Sequence, residues 1–207
     1  MPDRLSMLCR VLVLTAMAAL AGCQTLGVHR GPATPPLLEP GSSGLSVQLN
    51  QRMTLQMDGR KHHMMVVASF TPEQTRMTGF TLTGQRLMDI VHEGDDIRRW
   101  QSDKVKREIP ARWLLSQLQL AYWPAEVLQA AYTGPWVFAQ GDRQRSLRLE
   151  DELLVMVKYA ADFDGPGAGS ELTITHHRMA LEMTIETLKI KDVTAGSGPD
   201  SNHEAGQ

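Results

Sequence analysis

The chain has 207 residues, 42% hydrophobic, 21% charged and 5% aromatic, figures that suit one globular domain with tails. They exclude a disordered polyelectrolyte, a collagen and a disulfide scaffold. A formal net charge of −2 supplies no global field for a polyanion, so nucleic acid is not an expected partner.

Arg4 and Arg10 flank the start of the chain, and an apolar run follows from Val11 to Leu20. Ten residues make about 15 Å of helix, half of a hydrocarbon core of about 30 Å. The run therefore reads as the core of a signal peptide over residues 1–22, not as a span. It ends in Leu20-Ala21-Gly22-Cys23. Small residues there admit a peptidase, and the thiol can be acylated. The motif resembles a bacterial lipobox, which implies cleavage before Cys23, thioether lipidation of Cys23 and N-acylation of the new terminus. The alternatives are an ordinary secretory signal with a chance cysteine, or a short anchor. Several acyl chains anchor far more firmly than one. Gln24, where an Asp would retain the protein at the inner membrane, implies the outer membrane, facing the periplasm. The other cysteine is Cys9, so the mature chain needs no disulfide.

Residues 23–44 carry the lipidated cysteine, Pro32, Pro35, Pro36 and Pro40, then Gly41-Ser42-Ser43-Gly44. That composition predicts a tether. The folded domain is expected over 45–193, and 194–207, which lacks an apolar run, as a disordered tail. From Leu45 to Met57 apolar and polar residues alternate, a long strand with one buried face that only Gln51 interrupts. Asp58-Gly59 predicts a tight hairpin into a second strand, His62 to Phe70. Further strands are expected at Arg76–Leu82, Arg86–Val91 and Ile97–Val105.

The period then changes. Trp113, Leu114, Leu115, Leu118, Ala121 and Tyr122 mark one helical face, and Pro124 ends that helix and opens a second, to Ala131. Strands resume at Trp136–Ala139, Ser146–Glu150, Leu153–Ala160, Glu171–His176 and Met179–Ile190, with a loop over 162–170. In the last strand the apolar parity shifts, which predicts a bulge near Glu186-Thr187. Strands, two helices and strands again give an α+β fold: a curved antiparallel β-sheet forming an incomplete, half-open barrel with a central helical insertion.

Few residues carry chemistry. Methionine is frequent on the apolar faces, at Met53, Met57, Met64, Met77, Met88 and Met183 among others. Its flexibility suits a cavity that accepts varied ligands, and equally suits gap filling. Met53, Leu55 and Met57 are candidate cavity residues, and Trp113, Leu114, Leu118 and Tyr122 a candidate lid, a face that ordinary helix–sheet packing would also produce. His62-His63 and His176-His177 offer at most one metal ligand each to any site, because neighbours on a strand point oppositely. His92 reads as a solvated turn residue. Arg143, Arg145 and Arg148 read as the outer face of a strand. Arg98, Arg99, Lys104, Lys106, Arg107 and Arg112 form a basic segment that could meet lipid headgroups. No Gly-x-Ser-x-Gly elbow or phosphate loop occurs. No metal, cofactor or catalytic residue is expected.

Leu82-Thr83-Gly84-Gln85-Arg86-Leu87 and the stretch Leu114 to Pro124, with Leu128 following, resemble a family of uncharacterised proteobacterial lipoproteins. Its members often sit in aryl-polyene biosynthesis clusters and are grouped with the lipoprotein-localisation carriers LolA and LolB. The resemblance covers about residues 45–192. It implies a LolA/LolB-like half-barrel closed by helices over an apolar cavity for acyl chains, with lipid, polyene-lipid or lipoprotein cargo. LolB inserts an apolar loop tip into the membrane, whereas the loop Thr71-Pro72-Glu73-Gln74-Thr75 here is polar. The expectation is a non-enzymatic outer-membrane lipoprotein that binds acyl chains and helps deliver or position them. The alternatives are a structural or assembly lipoprotein with a packed core, and an acyl-group enzyme.

Overall fold

The computed structural model describes residues 34–193. The expected signal peptide, Cys23 and the expected tail over 194–207 lie outside the described residues. Ten strands form one antiparallel sheet in the order β5-β4-β3-β2-β1-β10-β9-β8-β7-β6. The strands are β1 (Val47–Met57), β2 (Arg60–Phe70), β3 (Gln74–Phe80), β4 (Arg86–Glu93), β5 (Asp96–Gln101), β6 (Trp136–Gly141), β7 (Gln144–Leu149), β8 (Glu152–Tyr159), β9 (Glu171–His176) and β10 (Leu181–Asp192). Helices α1 (Ala111–Tyr122) and α2 (Ala125–Ala131) connect β5 to β6, the two unpaired edges. The sheet is therefore an incomplete barrel, as the alternation and the change of period predict.

Local chemistry sets the joints. Asp58 and Gly59 both take positive φ, 51° and 72°, the geometry of a hairpin turn that matches strand twist. In β10 the register shifts opposite Asn50 and Gln51: Asn50 pairs with Lys189, and Gln51 with Thr187. The skipped residue is Leu188, so the bulge falls one residue beyond the expected place and leaves Leu188 39% exposed. β5 stops at Gln101, short of the expected Val105. The following segment folds back on that edge: Gln101 donates to the Val105 carbonyl and accepts from the Ile109 N–H. β10 starts at Leu181, because His177–Met179 make a 3-10 turn and Ala180 sits at φ 46°.

One face of the sheet is turned inward around α1. Inward positions include Leu49, Met53, Val66, Ala68, Met77, Ile90, Ile174, Met183 and Ile185, all under 5% exposed. Each large apolar side chain so buried contributes roughly 1.5–3 kcal/mol. Strands far apart in the order touch the same end of α1. Phe70 of β2 meets Tyr122 and Trp123, and Arg145 of β7 and Tyr159 of β8 bond the carbonyl of Ala121. Only a strongly curved sheet brings those strands to one helix turn.

The stretch expected as tether is packed at its downstream end. Leu38 exchanges two hydrogen bonds with the Gln119 side chain, and Pro40–Ser43 form a 3-10 turn. The Trp123 indole donates to Ser42, and Gly41 lies so close to Pro72 that a Cβ there would meet its carbonyl at 2.8 Å. The ordered unit thus begins upstream of Leu45.

Candidate functional site

The candidate site is the concave face with α1 inside it. Gln51, the polar break in β1, explains part of how the helix is held. It is fully buried, and its amide donates to the Tyr122 hydroxyl at 2.7 Å and to Thr187 at 3.2 Å. Burial pushes the Tyr122 hydroxyl up to about 12, against the hydrogen bonds from Gln51 and Thr187, so it stays a neutral partner.

Arg145 closes the other side. It is 3% exposed and on the inward face, not on the outer face that its charge suggested. Its guanidinium donates to the carbonyls of Leu120 (3.0 Å), Ala121 (3.3 Å) and Trp123 (2.8 Å), and to Gln140 at 2.8 Å. These carbonyls end α1, because Pro124 forces Trp123 into extended backbone and removes the next helical donor. A cation at a helix C-terminus also matches the helix dipole. Burial lowers the Arg145 pKa from its ordinary value, yet an arginine remains charged there. Tyr159 and Phe163 stack with ring centroids 4.3 Å apart, and Arg145 lies 5.0 Å over the Phe163 ring.

The expected site residues divide into two groups. Trp113, Leu118 and Tyr122 are 4%, 2% and 3% exposed, and Met53 is 3% exposed. A side chain lining a space wide enough for an acyl chain would present surface to it, and these four present almost none. Leu114 on α1 and Leu55 and Met57 on β1 are partly exposed. Leu55 and Met57 face inward with Met53, and Met64 of β2 stands opposite Met53. They lie toward the end that carries the β1–β2 and β9–β10 turns. The concave face is therefore full at its centre, occupied by α1, and partly open at the turn end. A surface depression of about 510 Å³ lies outside it, between Leu38–Ser42 and Val127–Ala131 of α2.

His92 and His176 are also inward. His92 is 4% exposed, not solvated, and stands opposite the fully buried Thr75. Its Nδ1 and the Thr75 hydroxyl have no protein partner. His176 is 2% exposed, lies 5.6 Å from the Trp113 ring, and accepts the Met179 N–H at Nδ1. Burial lowers the pKa of both imidazoles. His62 and His63 are exposed, and among the described residues no three His, Cys, Asp or Glu gather as metal ligands would. Asp89 sits on the outer face with Arg76 and Thr78, whose hydrogen bonds outweigh its partial burial and hold it below the ordinary carboxylate range.

Sequence reasoning missed Gln51 and Arg145 as helix anchors. The signal was present in both cases: each polar residue falls in phase with inward apolar neighbours, Gln51 with Leu49 and Met53, and Arg145 with Leu147.

No curated protein matches this chain. Among solved structures, one described as an outer membrane lipoprotein-sorting protein domain, from Vibrio parahaemolyticus, is similar at 8% identity and TM-score 0.34. That match covers 72% of this chain and 86% of the other. A DUF1329 family protein from Desulfovibrio piger is similar at 8% identity and TM-score 0.37, covering 73% of this chain and 87% of that one. At that identity and TM-score neither likeness bears on function. Residues 48–189 match the family described as "Protein of unknown function (DUF3261)", and the chain belongs to that family.

Proposed function

We propose that this chain is a non-catalytic envelope lipoprotein that takes acyl chains of a lipid or lipoprotein onto its concave face. Helix α1 occupies that face when no cargo is present. The observation that carries this reading is the contrast within the face itself. A largely apolar surface, interrupted by Gln51, Thr75, His92, Arg145, His176 and Thr187, spans the sheet, and its turn end leaves the inward Leu55, Met57 and Met64 partly exposed. An acyl chain entering there gains about 25 cal/mol for each Å² of apolar surface it buries. Unbranched methionines adapt to chains of different shape. Anchoring through Cys23 at the outer membrane and a periplasm-facing position belong to the same proposal, as do lipid, polyene-lipid or lipoprotein cargo.

The test is native mass spectrometry of the full chain, with hydrogen exchange over 111–122 before and after lipid is added. A bound acyl species together with faster exchange in α1 supports the carrier. A clean apo mass, with no uptake of phospholipid, lipopeptide or polyene, overturns it. A second reading is favoured by a different observation, the full burial of Trp113, Leu118 and Tyr122. On that reading the packed core is permanent and the protein is an assembly module. Unchanged α1 exchange and no lipid uptake is the result it expects.

A further inference from the structure

Helix α1 is tied at one end only. Among the described residues its hydrogen bonds to the rest of the chain fall on 119–123: Gln119 with Leu38, Leu120 and Ala121 with Arg145, Ala121 with Tyr159, Tyr122 with Gln51, and Trp123 with Ser42 and Arg145. The first half of the helix instead carries buried polar groups without a tie. Trp113 and Gln117 are 4% and 2% exposed. Among the described residues the Trp113 indole N–H and the Gln117 side-chain carbonyl have no hydrogen-bond partner. A buried donor or acceptor left unmade opposes the arrangement that buries it.

The two groups share one face, since residues four apart on a helix are neighbours, with Cβ atoms about 6 Å apart. A short relay sets which atom of Gln117 is free. The Ser116 hydroxyl donates to the Trp113 carbonyl at 2.7 Å, so its one proton is used and it can only accept from Gln117, whose nitrogen lies 3.3 Å away. The Gln117 oxygen is the group left over. Against the Trp113 ring, at 5.6 Å, stands His176. Its Nδ1 accepts the Met179 N–H and burial keeps the imidazole neutral, so Nε2 carries the proton and is a donor. His176 pairs with Leu181, and Leu181 with Met57, which places His176 two strands from Met57, about 10 Å across the sheet. This corner therefore adjoins the partly exposed turn end. It is also neutral: Arg145, at the other end, is the single Arg, Lys, Asp or Glu buried among the described residues, and Arg178 beside His176 is paired with Glu152.

We propose that Trp113 and Gln117 form a polar subsite for an amide, so that the preferred cargo is an acyl chain joined through nitrogen. This rests on the acyl-carrier reading and adds the class of linkage to it. An amide supplies what both groups lack: a carbonyl that accepts from the indole, and an N–H that donates to the Gln117 oxygen. An ester supplies only the acceptor and leaves Gln117 unpaired. A carboxylate supplies no donor, and it brings a charge into a corner with no buried cation to meet it. The acyl chain lies over Leu55, Met57 and Met64, and the amide lies toward His176, whose Nε2–H is a further donor there. The amide enters as the first half of α1 lifts while 119–123 stay tied. That lift breaks none of the hydrogen bonds that hold the helix to the rest of the described chain.

The test loads the full chain with diphenylhexatriene, a fluorescent hydrocarbon, and displaces it with N-methylpalmitamide, methyl palmitate or palmitate, three probes that share one chain. The amide is expected to displace it at a concentration about tenfold below the ester or the acid. In Gln117→Met, which nearly keeps the side-chain volume, and in Trp113→Phe, the amide-to-ester ratio should fall to about twofold or less. The thermal midpoint of Gln117→Met should not fall, because methionine removes a buried oxygen that has no partner. Equal displacement by amide and ester in the wild type, a ratio that survives both variants, or a lowered midpoint in Gln117→Met overturns the subsite and leaves the carrier reading standing. Diphenylhexatriene that does not bind, or that none of the three probes displaces, overturns the carrier reading and the subsite with it.

Discussion

The two ends of the concave face are made of different materials. At the end where α1 finishes, the inward side chains are aromatic or charged: Phe70 edge-on to Trp123, Tyr159 stacked on Phe163, Arg145 across three helix carbonyls. At the end bearing the β1–β2 turn the partly exposed Leu55, Met57 and Met64 make no polar tie, beside the buried His176 against Trp113. The first end uses directional contacts that fix one arrangement. The second uses flexible apolar groups that tolerate several. The difference teaches where α1 is secured and where the face can admit something else.

The comparison breaks most sharply at Arg145. Arg145→Ala leaves the Leu120 and Trp123 carbonyls without this donor, the Ala121 carbonyl keeping the Tyr159 hydroxyl, and should cost about 3 kcal/mol, read as a lower urea midpoint. Arg145→Lys should recover little, because one ammonium cannot span Gln140 and the carbonyls together. A loss below about 1 kcal/mol would mean that this end is no clamp. Gln51→Leu comes next. It removes one of the two side-chain hydrogen bonds at the buried Tyr122 hydroxyl, Thr187 remaining, and about 1 kcal/mol should be lost in the same titration.

Acidification should give a smaller effect. The folded state holds His92 and His176 neutral by burial, so their folded pKa lies below the unfolded value of 6.5. The unfolded chain then takes up protons first, and stability falls as pH drops from about 6.5 toward those lowered values. Above that window the two states bind equally and the contribution vanishes. Glu39, Asp95 and Arg112 also act on His92 and modify the slope. His92→Gln should flatten the curve of unfolding midpoint against pH by about half, and an unchanged curve would exclude this histidine.

The smallest stability change is expected at the open end. Met57→Ala should cost about 1 kcal/mol or less, since the side chain is already partly exposed, while lipid uptake should fall clearly. A large stability loss with unchanged uptake would erase the distinction between the two ends.

Much of this architecture is legible before folding. Alternation in β1, the Asp58-Gly59 turn, the helical face after Pro110 and the parity shift in the last strand are local patterns, and local patterns fix local structure. The site was less legible. Arg145 and His92 look solvated from their chemistry, because sequence carries no record of which carbonyls will lie opposite a side chain. The length of β5 was overestimated for a similar reason: Gln101 binds the returning chain, a contact that exists only once that chain has turned.

The sequence by itself determined an α+β chain with a period-two sheet, one strongly amphipathic helix and a single polar break at Gln51. Those follow from the repeat of side-chain direction along strand and helix. Only the tertiary structure decided that α1 lies within the curved sheet and that Arg145 reaches its last carbonyls. Each of these depends on residues distant in sequence being brought together. Burial then reverses their meaning: Gln51, taken alone a defect in an apolar face, becomes a partner of Tyr122.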